Sequence, residues 1–284
     1  TRLGEGGGIQ YPASSIQHLF ISLEDRTPYN LPMMEMLGKH GRRVKDLRRR
    51  VRSRPAGEVI VDGRRLVADM VRWKIPIREL YLTPDDSEKP EVAPWISAAT
   101  NVGLLEPQVL EDVAPTRHPQ GVLAVVGEPF FQTWDAVAGS AVWLDSVQDP
   151  GNVGAVIRAA AGLGAAAVLL SPDCADPFGT QAVRGSAGAV FRLPVERKVD
   201  AADAVARVRG GGGEIWAAGS GGRPVAGWRP AEPCLLMVGS EGAGLSPEAA
   251  SHADGEVTIP IDCELDSLNL AVAVGILLQH LRCG

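Results

Sequence analysis

From Ala141 onward, short uninterrupted apolar runs alternate with longer stretches of helical spacing. The runs are Ala141-Val-Trp-Leu, Ala166-Ala-Val-Leu-Leu, Glu214-Ile-Trp-Ala-Ala, Cys234-Leu-Leu-Met-Val and Glu256-Val-Thr-Ile. Runs without polar alternation predict strands covered on both faces, so residues 140–284 are expected to form an α/β unit with a mainly parallel sheet and helices on both sides. Between Asn152 and Pro172 the sole charge is Arg158. That pattern predicts a buried helix running into a buried strand, with Asn152 as the helix N-cap. The last segment, Leu268 to Leu278, is apolar on nearly every side. It predicts a helix capped by Asp266 or Ser267 and buried all round, against its own sheet and against a second subunit in a two-fold dimer.

The first part of the chain reads differently. Glu58-Val-Ile-Val-Asp-Gly is a β-branched run ending in a turn, and Arg64 to Trp73 has helical spacing with Leu66, Val67, Met70 and Val71 on one side. Arg78–Leu82, Val102–Leu105 and Gly121–Val126 read as strands, with helices at Pro94–Thr100 and Gln108–Val113. A smaller α/β sandwich follows, over about 42–127. Residues 1–41 read as an extension, and 128–139, with Pro129 and Gly139, as a linker.

Charge changes this picture. Over 284 residues the net charge is −6, which by itself argues against a nucleic-acid partner. The average hides the run Arg42 to Arg54, with eight basic residues and one acid. It is either a solvated helix face or a phosphate-tracking patch in which Arg48, Arg49 and Arg50 meet RNA. Four separated cysteines and five scattered histidines have no zinc spacing, so reduced thiols, an intracellular setting and no metal are expected. No membrane span or signal segment is legible.

The candidate chemistry lies in three places. Asp149-Pro-Gly-Asn-Val-Gly leads from a strand into a helix, and Arg158 follows Asn152 by six residues, roughly 9 Å along a helix axis. A guanidinium in an apolar setting cannot shed its proton, so Arg158 either meets a distant carboxylate or awaits an anion such as phosphate. Gly239-Ser-Glu-Gly-Ala-Gly-Leu follows a strand; its glycines let backbone approach a ligand, and Glu241 either sits in a turn or orients a substrate. It has neither phosphate-loop nor dinucleotide spacing, and Gly162-x-Gly-x-x-Ala precedes a strand where a fingerprint would open a helix.

In order and in residues, three segments resemble the motifs of the SpoU (TrmH-like) family of RNA 2′-O-ribose methyltransferases in the SPOUT superfamily. They are D-P-G-N-V-G-A-V-I-R (149–158), L-M-V-G-S-E-G-A-G-L (236–245) and I-P-I…D-S-L-N-L-A-V-A (259–273), supported by H-P-Q-G-V-L-A (118–124) and A-V-R-G-S-A-G-A-V-F-R-L-P-V (182–195). The resemblance spans about Val44 to Leu281, and Ala271 stands where many relatives carry serine. It implies a trefoil-knotted methyltransferase domain over 140–284, an S-adenosyl-L-methionine (S-adenosylmethionine) pocket in the knot, a homodimer, and a ribosomal-protein-like substrate-binding domain over 42–127. By motif it places cofactor contacts at Gly239, Ile259 and Leu268, and active-site roles at Asn152, Arg158, Glu241, Ser267 and Asn269. The expected reaction is ribose 2′-O-methylation of ribosomal RNA in the cytoplasm. A transfer-RNA substrate, or a non-catalytic RNA-binding protein of the same fold, are the alternatives.

Overall fold

A computed structural model describes residues 34–116, 118–129, 133–136, 139–262 and 267–283. The elements run β1 (Met34–Met36), α1 (Arg42–Ser53), β2 (Glu58–Asp62), α2 (Arg64–Arg72), β3 (Ile77–Leu82), α3 (Pro84–Ser87), α4 (Ala93–Ala98), β4 (Ala99–Leu104), α5 (Pro107–Val113) and β5 (Val122–Gly127). There follow β6 (Ser140–Leu144), α6 (Pro150–Leu163), β7 (Ala167–Leu170), α7 (Thr180–Gly185), β8 (Val195–Arg197), α8 (Ala201–Gly210), β9 (Glu214–Pro224), β10 (Cys234–Val238), α9 (Pro247–Ala250), β11 (Gly255–Thr258) and α10 (Leu270–Cys283).

The first sheet has the order β1-β4-β3-β5-β2. Strands β1, β4 and β3 are parallel, and β5 runs antiparallel between β3 and β2. Strand β1 lies in what was expected to be an irregular extension: three residues with no apolar alternation reveal themselves only by pairing with β4. Successive side chains leave opposite faces of this sheet. Ile60, Tyr81, Leu123 and Val125 pack on α1 and α5 through Val44, Leu47, Val109 and Leu110. Val59, Val61, Leu80, Leu82 and Ala124 face the other way, into a core that continues through Ile157, Val190 and Leu277 of the second unit.

The second sheet is entirely parallel, in the order β11-β9-β10-β6-β7-β8. Each uninterrupted apolar run divides between two cores. Trp143, Leu169, Leu235 and Met237 meet Val205 and Val208 of α8. Val142, Leu144, Val168 and Leu236 meet Val153 and Ile157 of α6 and Val274 and Leu277 of α10. Both faces are therefore apolar and the strand needs no polar alternation. The chain moves outward from β6 through β7 to β8, then returns on the other side of β6 with β9 and β10. Strand order reverses between β6 and β10, and a crevice is expected beyond their carboxyl ends.

One expectation for the helices needs correction. Helix α6 is not buried on every side: Val153, Gly154, Val156, Ile157 and Ala160 form the inward stripe, whereas Arg158 is exposed. The outer face carries Gly151, Ala155, Ala159 and Gly162, so its lack of charge imitates burial. Helix α10 buries Leu270, Val274, Leu277 and Leu278 within the chain and leaves Val272 50% and Ile276 38% exposed, the face expected to meet a second subunit. Among the described residues no helix is long and apolar enough to cross a membrane.

Candidate active site

The site is assembled from the loops that follow β6, β10 and β11. After β6, Asp145 is buried and its Oδ2 accepts from the amide of Ser246 at 2.8 Å, holding the end of the glycine loop against the β6 edge. The amide of Asp145 in turn donates to the carbonyl of Val238 at 2.9 Å. Sequence reading missed Asp145; an acid ending an otherwise apolar strand was its signal. Gly239 closes β10, and a Cβ there would fall 1.9–2.0 Å from the carbonyl carbon and oxygen of Gly244. Only glycine allows this fold-back of the loop.

Helix α6 is capped by Asp149, whose Oδ1 accepts from the amide of Asn152 at 2.7 Å, with Pro150 at the first helical position. This corrects the assignment of Asn152 as cap: Asn152 lies inside the first turn, and its side chain is released toward the crevice. There Asn269 Nδ2 donates to Asn152 Oδ1 at 3.2 Å and to Glu241 Oε1 at 3.1 Å. Glu241 Oε1 also accepts from the amide of Leu270 at 3.3 Å, while Asn269 Oδ1 accepts from the amides of Ala271 and Val272 at 3.1 and 3.4 Å. Asn269 is thus the N-cap of α10, in place of Asp266, which lies outside the described residues, or Ser267. Three distant motifs converge on one network. A carboxylate at the first amide of α10 also suits the positive end of the helix dipole.

Ser267 is exposed and Leu268 half-buried just before this cap, and Ile259 is half-buried beyond β11. Arg158 lies six residues, nearly two turns, further along α6 and lines a cleft of about 210 Å³ between the two units, with Arg184 of α7 and Asp62 of β2. It has no ion pair among the described residues. Gly154, about one turn before Arg158, sets this placement. A Cβ at 154 would lie 2.4 Å from the Ala182 carbonyl, so α6 and α7 touch backbone to backbone, bringing Arg158 and Arg184 to one cleft.

The basic run behaves otherwise. Arg50 is 9% exposed, bound at 2.9 and 2.6 Å to both oxygens of Glu79 and flanked by Glu58 and Asp46. Its assignment as an RNA contact is therefore corrected: its charge is used inside the protein. Burial alone would raise the Glu79 carboxyl, but bonds from Arg50 and Tyr81 and the nearby charges of Arg50 and Arg43 hold it below the usual range. Arg48 reaches Asp112 at 3.6 Å, and Arg49 pairs with Asp46 in an exposed contact. Cys174, Cys234 and Cys283 are free, and burial pushes the Cys234 thiol up to about 12. Among the described residues no group of three or more His, Cys, Asp or Glu is placed to hold a metal.

A reversed strand order, a glycine loop at the switch point and a polar network on the helix of an arginine without an ion pair among the described residues define an α/β enzyme with its site at the carboxyl edge of a parallel sheet. Residues 139–279 match the SpoU rRNA Methylase family, and residues 42–124 match the MRM3-like substrate binding domain. The 23S rRNA (guanosine(2553)-2′-O)-methyltransferase RlmP of Bacillus subtilis is 30% identical over 78% of this chain and 88% of its own. The AdoMet-bound rRNA methyltransferase from Sinorhizobium meliloti superposes with a TM-score of 0.74 at 27% identity, over 88% of this chain and 98% of that one. The SpoU methyltransferase AviRb from Streptomyces viridochromogenes, in complex with AdoMet, gives 0.73 at 25% identity, over 86% and 98%. The chain belongs to the SpoU methylase family.

Proposed function

We propose that the protein transfers a methyl group from S-adenosylmethionine to a ribose 2′-hydroxyl of ribosomal RNA. The observation that carries this reading is the union of Asn152, Glu241 and Asn269 in one hydrogen-bonded network, on the same helix as Arg158, an arginine with no carboxylate partner among the described residues.

The residues present fit the cofactor. Ile259 and Leu268 are half-buried apolar side chains suited to the face of a nucleobase, and the backbone around Gly239 is suited to its edge. Nothing lies within 4 Å of where a Cβ would stand on Gly242 or Gly244, so the loop has open space beside it. When bound, the cofactor supplies a methyl group activated on a sulfonium. A ribose hydroxyl is a weak nucleophile, and its oxygen becomes more negative as it attacks. Arg158 holds a phosphate of the target nucleotide and stabilises that oxygen electrostatically. Arginine keeps its proton above pH 12, so this role is preferred to that of general base. Asn152, Asn269 and Glu241 fix one another, and Ser267 beside them is placed to orient the ribose.

Ribosomal RNA is favoured over transfer RNA by the match of residues 42–124 to a substrate-binding domain and by the substrates in the names of the relatives. The carboxyl-terminal part is read as the trefoil knot of SPOUT enzymes. The exposed Val272 and Ile276 on α10 are read as the homodimer contact. A cytoplasmic location follows from the substrate.

The test is incubation of the protein with methyl-labelled S-adenosylmethionine and RNA from a strain lacking the gene. Label in a 2′-O-methylnucleoside of ribosomal RNA is expected, and none with RNA from the parent strain. Label confined to transfer RNA would move the substrate, and no label in any RNA would leave a binding protein.

A further inference from the structure

We infer that Asp62, on the amino-terminal sheet, determines specificity by accepting a hydrogen bond from the base of the target nucleotide, across the cleft from Arg158 and Arg184. The inference rests on the RNA-methylation reading above and assigns base selection to a residue of the other unit.

Asp62 ends β2 and is 6% exposed. The Thr116 hydroxyl donates to its Oδ2, while its Oδ1, also buried, has no hydrogen-bond partner among the described residues. Arg184 is near enough to act on the carboxyl electrostatically but does not pair with it. A buried acceptor without a donor is costly and rare, and a ligand that brings the donor accounts for it. Burial pushes the carboxyl up, against the Thr116 bond and the charge of Arg184, as expected of an acceptor lacking its full complement of donors.

The lining of the cleft asks for two kinds of group on one ligand. Arg158 and Arg184 on one wall, and Arg65 near Asp62 on the other, call for an anion. An ionised aspartate only accepts, and a phosphate oxygen cannot serve it. A nucleotide has both: a phosphate and, on its base, ring N–H or amino donors that a carboxylate reads. At about 210 Å³ the cleft suits one unstacked base better than a paired stem.

Backbone on both walls is unusual. Gly63, next to Asp62, has φ +115°, a conformation that L side chains rarely adopt. Opposite it Ala187 is held at φ +48°, where a residue with a Cβ is strained. Strain of this kind gathers at ligand-binding sites. Gln120 completes the wall: its Oε1 accepts from the amide of Arg64 at 3.1 Å, fixing the start of α2 beside Asp62.

The experiment compares wild type with Asp62→Asn, which keeps the side-chain volume, and Asp62→Ala. Ribosomal RNA from the deletion strain locates the modified nucleotide. Four hairpin transcripts differing only at that base then measure kcat/KM, with S-adenosylmethionine affinity by calorimetry as the control for folding. Both variants are expected to bind cofactor within about twofold of wild type. Asp62→Ala should lose about tenfold on the cognate base and little on the other three, so that selectivity flattens, and Asp62→Asn, which keeps one neutral acceptor oxygen, should lose less. Selectivity preserved, with all four transcripts unaffected or lowered in parallel, overturns the role of Asp62 and leaves the methyltransferase reading intact. No transfer by wild type to any RNA overturns both.

Discussion

Helices α1 and α6 carry their arginines in opposite ways. Helix α1 is crowded with basic residues, yet Arg43, Arg48, Arg49 and Arg50 all lie within ion-pairing distance of carboxylates. Helix α6 has one basic residue, and among the described residues that one has no carboxylate partner. The contrast teaches that charge density along a sequence is a poor guide to where an anion binds. What matters is which charges the fold leaves uncompensated. On α1 these are Arg42, Lys45 and Arg52, exposed and without ion pairs among the described residues.

The sharpest way to break this contrast is Arg158→Ala. Methyl transfer should fall about 10³-fold, the scale for removing a donor that stabilises developing negative charge, with cofactor affinity by calorimetry nearly unchanged. Equal losses in affinity and turnover would move Arg158 from chemistry to cofactor binding. Arg50→Ala should do the reverse, costing about 2 kcal/mol in urea unfolding because the half-buried Glu79 keeps only its bond from Tyr81, without weakening RNA binding directly. The pH dependence has a definite sign. Glu79 has a depressed carboxyl in the folded protein, so its pairing stabilises at neutral pH and is lost as pH falls through the folded value. The gap between wild type and Arg50→Ala should therefore narrow in acid; a constant gap would remove the Glu79 pairing as its cause.

Gly154→Ala tests the geometry that places Arg158. Its methyl would meet the Ala182 carbonyl, so a loss of about 2 kcal/mol in thermal unfolding is expected, with reduced transfer as α6 and α7 separate. An unaffected melting temperature would mean that the helices slide apart freely. The smallest effect is predicted for α1: replacing Arg42, Lys45 and Arg52 together by glutamine should reduce the salt slope of RNA binding by about 2 if they track single-stranded phosphates. An unchanged slope returns α1 to an ordinary solvated helix.

Much of the fold was legible because it follows local rules. The strand at Cys234–Val238 lies where its apolar run predicts, and the Gly162–Ala167 pattern set aside as a fingerprint contains the left-handed C-cap of α6, Gly164 at φ +81°. Strands β1 and β8 were not legible, since each is three residues long and exists through pairing with a neighbour. Burial was misread wherever small residues face solvent. Alanine and glycine on the outer face of α6 carry the same pattern whether water or protein lies beyond them.

The sequence by itself determined most element types and the position of the glycine loop, because caps, turns and periodicity act over a few residues; Asn152, Arg158, Glu241 and Asn269 were singled out together by motif resemblance. Tertiary structure alone decided which arginines are spent internally, that Asn269 caps α10 while joining Asn152 to Glu241, and that Asp62 shares a cleft with Arg158. The physical reason is range: Coulombic pairing, desolvation and hydrogen-bond satisfaction depend on distances between residues tens to hundreds of positions apart, and only the folded chain sets those distances.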